Sequence, residues 1–93
     1  MLEIRQFCEN CAKKLPNNSG EAMICTFECT YCKSCVNNIL KNVCPNCGGG
    51  FEKRPTRPKA QLIKHPPTGK ITLKPVVKNK FLKKYSTIYP RDR

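Results

Sequence analysis

ICTFECTYCKSC, residues 24–35, places four cysteines within twelve positions, and whether those thiols are bridged, catalytic or metal-bound decides the fold. Working outward, the chain carries eight cysteines, at 8, 11, 25, 29, 32, 35, 44 and 47, and all of them precede residue 48. A chain of 93 residues has room for one ordinary domain and, with no tryptophan, little apolar material for a self-sufficient core. Something besides hydrophobic burial must hold it. Disulfides would serve in a secreted protein, but MLEIRQFCENC at the N-terminus lacks the apolar run of a signal peptide, and no stretch has the length of a membrane span. The sequence therefore reads as cytoplasmic and not membrane-associated, where thiols stay reduced and clustered cysteines bind metal more often than they pair.

The spacing is C8-x2-C11-x13-C25-x3-C29-x2-C32-x2-C35-x8-C44-x2-C47. A two-residue gap lets both sulfurs of one turn reach the same ion at about 2.3 Å, and eight thiolates make two closed tetrahedral sites, implying two Zn²⁺ per chain. Pro45 fixes φ within Cys44-Pro45-Asn46-Cys47, and Gly48-Gly49-Gly50 lets backbone N–H groups turn toward the sulfurs. Two groupings are open. A sequential one takes Cys8, Cys11, Cys25 and Cys29, then Cys32, Cys35, Cys44 and Cys47. An interleaved one takes Cys8, Cys11, Cys32 and Cys35 as site 1, then Cys25, Cys29, Cys44 and Cys47 as site 2. Interleaving closes longer loops and ties the whole head into one unit, which favours it. C29-x2-C32-x2-C35 with a later Cys-Pro also resembles an iron–sulfur run, although its last gap is eight residues instead of three. No thioredoxin-like βαβ pattern accompanies any C-x-x-C.

These motifs resemble the RING-type cross-brace: an opening pair, a variable loop, closely spaced middle ligands, a helix-sized spacer and C-P-x-C, with Tyr31 just before the fifth ligand. Residues 1 to about 58 are more similar still to a bacterial family of short cysteine-rich proteins of unknown function. That likeness runs from Leu2 through ICTFECTYC and CPNCGGG to Arg54-Pro-Thr-Arg-Pro58. It implies a small metal-stabilised α+β fold: a RING-like head with two Cys₄ zinc sites, one short helix and a small β-hairpin. The chain departs from RING ligases in having no histidine ligand, in Glu9 and Asn10 between the first two cysteines, and in Gly48 after the last. These departures weigh against a ubiquitin-like ligase scaffold.

Between Cys35 and Cys44, Val36, Ile39, Leu40 and Val43 fall on one helical face, with Ser34 as the expected N-cap and Leu15, Met23, Ile24 and Phe27 as the expected packing partners. AMICTF reads as a short strand after the Asn-Asn-Ser-Gly turn.

Past residue 50 the composition changes. Residues 1–50 carry five basic side chains against four acidic ones, whereas residues 51–93 carry thirteen against two and hold six of the eight prolines. Residues 51–59 are expected to form an extended linker. Residues 60–93 are expected to be a basic tail, either disordered or bearing a weak hairpin about Pro67-Thr68-Gly69 and a short helix with Val77, Phe81, Tyr85 and Tyr89 on one face. Lys53, Arg54, Arg57, Lys78, Lys80, Lys83 and Lys84 are the candidates for contact with nucleic acid or an acidic partner. No residue set composes an active site, because the cysteines are committed as ligands and no open metal position is implied. The expected function is a non-enzymatic zinc-binding module that acts as a protein-interaction adaptor, with nucleic-acid binding through the basic tail as the alternative and no small-molecule substrate.

Overall fold

The computed structural model describes residues 1–93. Strand β1 (Ala22–Ile24) runs antiparallel to β2 (Thr30–Cys32), with Met23 opposite Tyr31, and the intervening loop carries Cys25 and Cys29. Helix α1 (Lys33–Asn38) follows β2 directly, and β3 (Glu52–Lys53) adds to the free edge of β1. The result is a small α+β fold on a three-stranded antiparallel sheet ordered β2-β1-β3.

The core is unusual in composition. Six of the twelve residues in its main cluster are cysteines, and Leu15, Ala22, Tyr31, Val36, Leu40 and Phe51 supply the rest. The Tyr31 and Phe51 rings meet edge to face at 5.5 Å, locking β2 to the segment that enters β3.

Helix α1 ends earlier than its apolar spacing predicts. Lys41 and Asn42 adopt the left-handed conformation, with φ of 51° and 60°, and the chain turns so that the Asn42 N–H reaches the Val36 carbonyl. Val36, Leu40 and Val43 are still buried, while Ile39 and Phe27 are exposed. Ser34 lies within the helix, its hydroxyl accepting from Asn38, and Cys32 occupies the N-cap position instead.

The segment expected to be a linker begins as sheet, since Glu52 and Lys53 pair with Ile24 and Met23. No hairpin forms about Pro67-Thr68-Gly69. Residues Lys59–Lys64 form α2 instead, with Pro58 extended at the N-cap and KAQLIK rich in helix formers. Pro66 and Pro67 prevent its continuation. Ile63, Ile71 and Leu73, which a hairpin would have covered, are exposed.

The tail then wraps the head through hydrogen bonds spread along its length. The Thr68 and Lys74 amides donate to the Ile4 and Glu9 carbonyls, and the Asn79 and Arg93 side chains donate to the Val43 and Asn42 carbonyls. Of the predicted helical face, only Leu82–Tyr85 is helical (α3). Phe81 and Tyr85 lie over Gly48, while Val77 and Tyr89 face solvent.

Gly48 has φ of +77°, and a Cβ placed there would stand 2.8 Å from the Tyr85 ring. Gly48→Ala is therefore expected to destabilise the chain by about 1–3 kcal/mol. It should also loosen the Phe81–Tyr85 contact, seen as faster proteolysis within residues 78–93. Unchanged stability with an unchanged cleavage rate would refute the close approach.

Candidate metal centre

Four thiols from three segments meet in the first cluster. Cys8 and Cys11 lie on the N-terminal turn, Cys32 ends β2 and Cys35 sits in α1, and their sulfurs lie within 4.8 Å of one another. Cys25, Cys44 and Cys47 form the second cluster within the same limit. The first, second, fifth and sixth cysteines thus group apart from the third, seventh and eighth, so the grouping is interleaved. Cys29 borders the second cluster, where the Asn46 amide donates to its sulfur at 3.2 Å and Cys25 and Cys44 are its thiol neighbours.

The distances bear on what the thiols can hold. No disulfide is present. A tetrahedral ion with ligand sulfurs at about 2.3 Å has edges of about 3.8 Å, and Cys11–Cys32 and Cys25–Cys44 stand at 3.7 and 3.4 Å. Both clusters can hold a metal ion of that size. An iron–sulfur cubane binds each thiolate to a different iron and needs the sulfurs farther apart than these edges.

The surroundings favour thiolate. N–H groups two residues ahead donate to Cys25, Cys44 and Cys47, from Phe27, Asn46 and Gly49, at 3.3 to 3.4 Å. The two turns Cys8-Glu9-Asn10-Cys11 and Cys44-Pro45-Asn46-Cys47 also repeat one device. The residue before the second cysteine is asparagine in each, and its side-chain amide donates across the cluster, from Asn10 to Cys35 at 3.3 Å and from Asn46 to Cys29 at 3.2 Å. After each turn the chain enters the left-handed region, at Ala12 with φ of 64° and at Gly48 with φ of 77°. Sequence reasoning missed the asparagines, although the shared C-x-N-C was the signal that could have found them.

Charge is unevenly held among the thiols. Burial pushes the Cys8 and Cys35 thiols up. Hydrogen bonding to Cys29 and Cys44, with the Cys29 effect the larger, leaves Cys25 pushed up to about 12. Hydrogen bonding to Cys25 and Cys44 pulls Cys29 down, aided by the Asn46 amide and the Arg5 guanidinium. At Cys11 and Cys47, hydrogen bonds led by the Lys13 and Gly49 amides outweigh burial and lower both. A metal ion must therefore displace protons from the remaining thiols.

Glu9, one of the two residues between the first pair of cysteines, is buried; its carboxylate accepts from the Thr30 amide and from Arg5 at 2.9 Å. The cationic candidates divide. Lys53, Lys78, Lys80, Lys83 and Lys84 are exposed. Arg54 is buried against head carbonyls, and Arg57 donates to the Leu2 and His65 carbonyls. Both arginines are engaged within the fold.

Asn46→Ala is expected to lower metal affinity at the second cluster by about 10- to 100-fold while leaving the first unchanged. A competition titration with a chromophoric chelator reads this as one weakened site out of two. Equal weakening of both, or of neither, would contradict the assignment of Asn46 to Cys29.

No helix is long and apolar enough to cross a membrane. No solved structure matches the chain. An uncharacterized protein of Rhizobium meliloti (strain 1021), R02474, is 51% identical over 75 residues, which cover 81% of this chain and 89% of the relative. The family described as protein of unknown function (DUF1272) matches residues 1–57, the span that holds all eight cysteines and both arginines of the R-P-x-R-P run. On the match and the identity together, the chain belongs to that family.

Proposed function

We propose that the chain is a non-enzymatic, zinc-binding interaction module in which two interleaved Cys₄ sites hold a RING-like head that docks on a protein partner. The single observation that carries this is the meeting of sulfurs from distant segments at tetrahedral-edge distances, with amide donors aimed at them. Thiolate donors of this number and spacing suit zinc, and Cys29 completes the second set. Bound there, the ion cross-links segments that have too few apolar side chains to hold one another. Closed sites leave no position for substrate, so the residues serve architecture and the surface serves function. Elemental analysis of freshly purified protein tests the reading. Two zinc per chain in a colourless solution supports it, and iron with a brown chromophore would overturn it.

A second reading, nucleic-acid binding, is favoured by one observation. Lys78, Lys80, Lys83 and Lys84 are exposed, none takes part in an ion pair, and Lys80 and Lys84 instead lie over the Phe81 and Tyr85 rings. Four uncompensated cations within the seven residues 78–84 attract phosphate. Binding to a single-stranded oligonucleotide should then weaken steeply with salt, and replacing all four lysines by glutamine should abolish it. Salt-independent binding, or none, would exclude this reading.

A further inference from the structure

The two knuckle turns border one groove, and the chain's own tail lies along it as a wall. Glu9 from the first turn, Pro45 and Asn46 from the second, and Tyr31 beneath them line a cavity of about 170 Å³ whose remaining wall is Lys74–Lys78. Two backbone amides of this segment, two residues apart, bind the first turn. Lys74 donates to the Glu9 carbonyl and Val76 to the Asn10 side-chain oxygen, each at 2.7 Å. That is the spacing by which an extended peptide adds to an edge. Val76 packs against the core cluster, while Val77 is 97% exposed. Of the five residues, Val76 alone is half-buried against the head, and the other four are exposed. The segment belongs to no helix or strand, and on either side of it Thr68 and Asn79 are hydrogen-bonded to the head.

We infer that the groove between the knuckles is a docking site for an extended peptide of a protein partner, and that Lys74–Lys78 is a tethered occupant which a partner segment must displace. This rests on the proposed reading of the head as a metal-held docking module. The occupant shows the chemistry that fits. A proline fixes the extended backbone, a β-branched residue follows it to pack inward, and a free N–H on each side of the proline meets the Glu9 carbonyl and the Asn10 side chain. Flanking lysines suit a head whose metal-bound thiolates would leave it acidic beside a basic tail. Asn10 is the hinge of the arrangement, since its amide donates to the Cys35 sulfur while its oxygen receives the strap. Docking at the groove and order in the first metal cluster are therefore coupled through one side chain.

The test uses the zinc-loaded full chain and a fluorescein-labelled peptide of residues 71–80, ITLKPVVKNK, read by anisotropy. A tethered occupant competes at an effective concentration of about 1 mM, so the wild-type chain should bind the free peptide weakly. Val76→Asp opens the strap by placing a charge against the core. A second variant replaces Lys74–Lys78 with Gly-Ser-Gly-Ser-Gly and keeps the length, in case the first misfolds. Both should bind the peptide about tenfold or more tighter than wild type, and a peptide carrying the same Val76→Asp change should not bind. If an opened variant with two zinc ions and a native spectrum leaves the peptide free at about 1 mM, the groove is no docking site. Equal binding of the altered peptide would reduce the interaction to charge and overturn the proposal too. A wild-type chain that sediments as a strap-exchanged dimer would assign the groove to a second copy. Fewer than two zinc ions in the wild-type chain would instead fail the underlying reading, a separate result reported by metal content alone.

Discussion

Stripping the metal from the purified chain with a strong chelator is expected to unfold the head, with loss of amide dispersion across residues 4–54 and recovery when zinc is returned. Half of the main core cluster is cysteine, so removing the ion leaves buried, partly charged sulfurs at 3.4 to 3.7 Å with nothing between them. A structural Cys₄ zinc site supplies about 10–16 kcal/mol at neutral pH, as much as or more than the whole stability of a domain this size. The apolar remainder, chiefly Leu15, Tyr31, Val36, Leu40 and Phe51, cannot replace that term. Acid should act in the same direction. The thiols pushed up at Cys8, Cys25, Cys35 and Cys44 retain protons that compete with the ion, so falling pH favours the metal-free chain and rising pH favours the bound one. Cys44→Ser, at a fully buried ligand, should lose metal more completely than Cys11→Ser, at an exposed one. Native dispersion in a chain shown to be metal-free would sink the shared premise.

How far the sequence reaches can be judged residue by residue. The cysteine spacing was enough to mark the head and to favour an interleaved grouping, because short gaps and loop closure are properties of the chain itself. Val36, Leu40 and Val43 were legible as a buried face by their period. The early end of α1 was not, since it depends on Lys41 and Asn42 taking a left-handed turn whose value lies in placing Asn42 against the Phe51 amide. The tail was the least legible part. A run of lysines and prolines has the composition of a solvated arm. Its order here comes from contacts at single positions, Thr68 on Ile4, Val76 on Asn10 and Arg93 on Asn42, that no periodic pattern announces.

Arg54→Met is expected to destabilise the zinc-loaded chain by about 3 kcal/mol or more, although Arg54 looks from the sequence like one more cation of the tail. Its side chain is 2% exposed and has no carboxylate partner. Instead one guanidinium nitrogen donates to the Arg5 carbonyl at 2.6 Å, and the other donates to Leu15 and Pro16 at 3.1 and 2.6 Å. Burial lowers its pKa, but a guanidinium keeps its charge inside a protein, and hydrogen bonds from a charged donor are worth about 1.5–3 kcal/mol each. Methionine fills much of the volume yet leaves the Arg5 and Leu15 carbonyls without a donor and the Pro16 carbonyl with the Ser19 amide alone. Arg54→Lys should recover only part of the loss, because a point charge cannot fork between the N-terminal segment and the Leu15 loop. Arg57→Met should cost less, since Arg57 is only half-buried and its carbonyl partners stay closer to water. Urea unfolding of the zinc-loaded variants measures all three. A loss below about 1 kcal/mol for Arg54→Met would return Arg54 to the list of surface cations. The expected loss would place the first arginine of R-P-x-R-P in the architecture of the head, where it closes the N-terminal segment over the same core that the thiols organise.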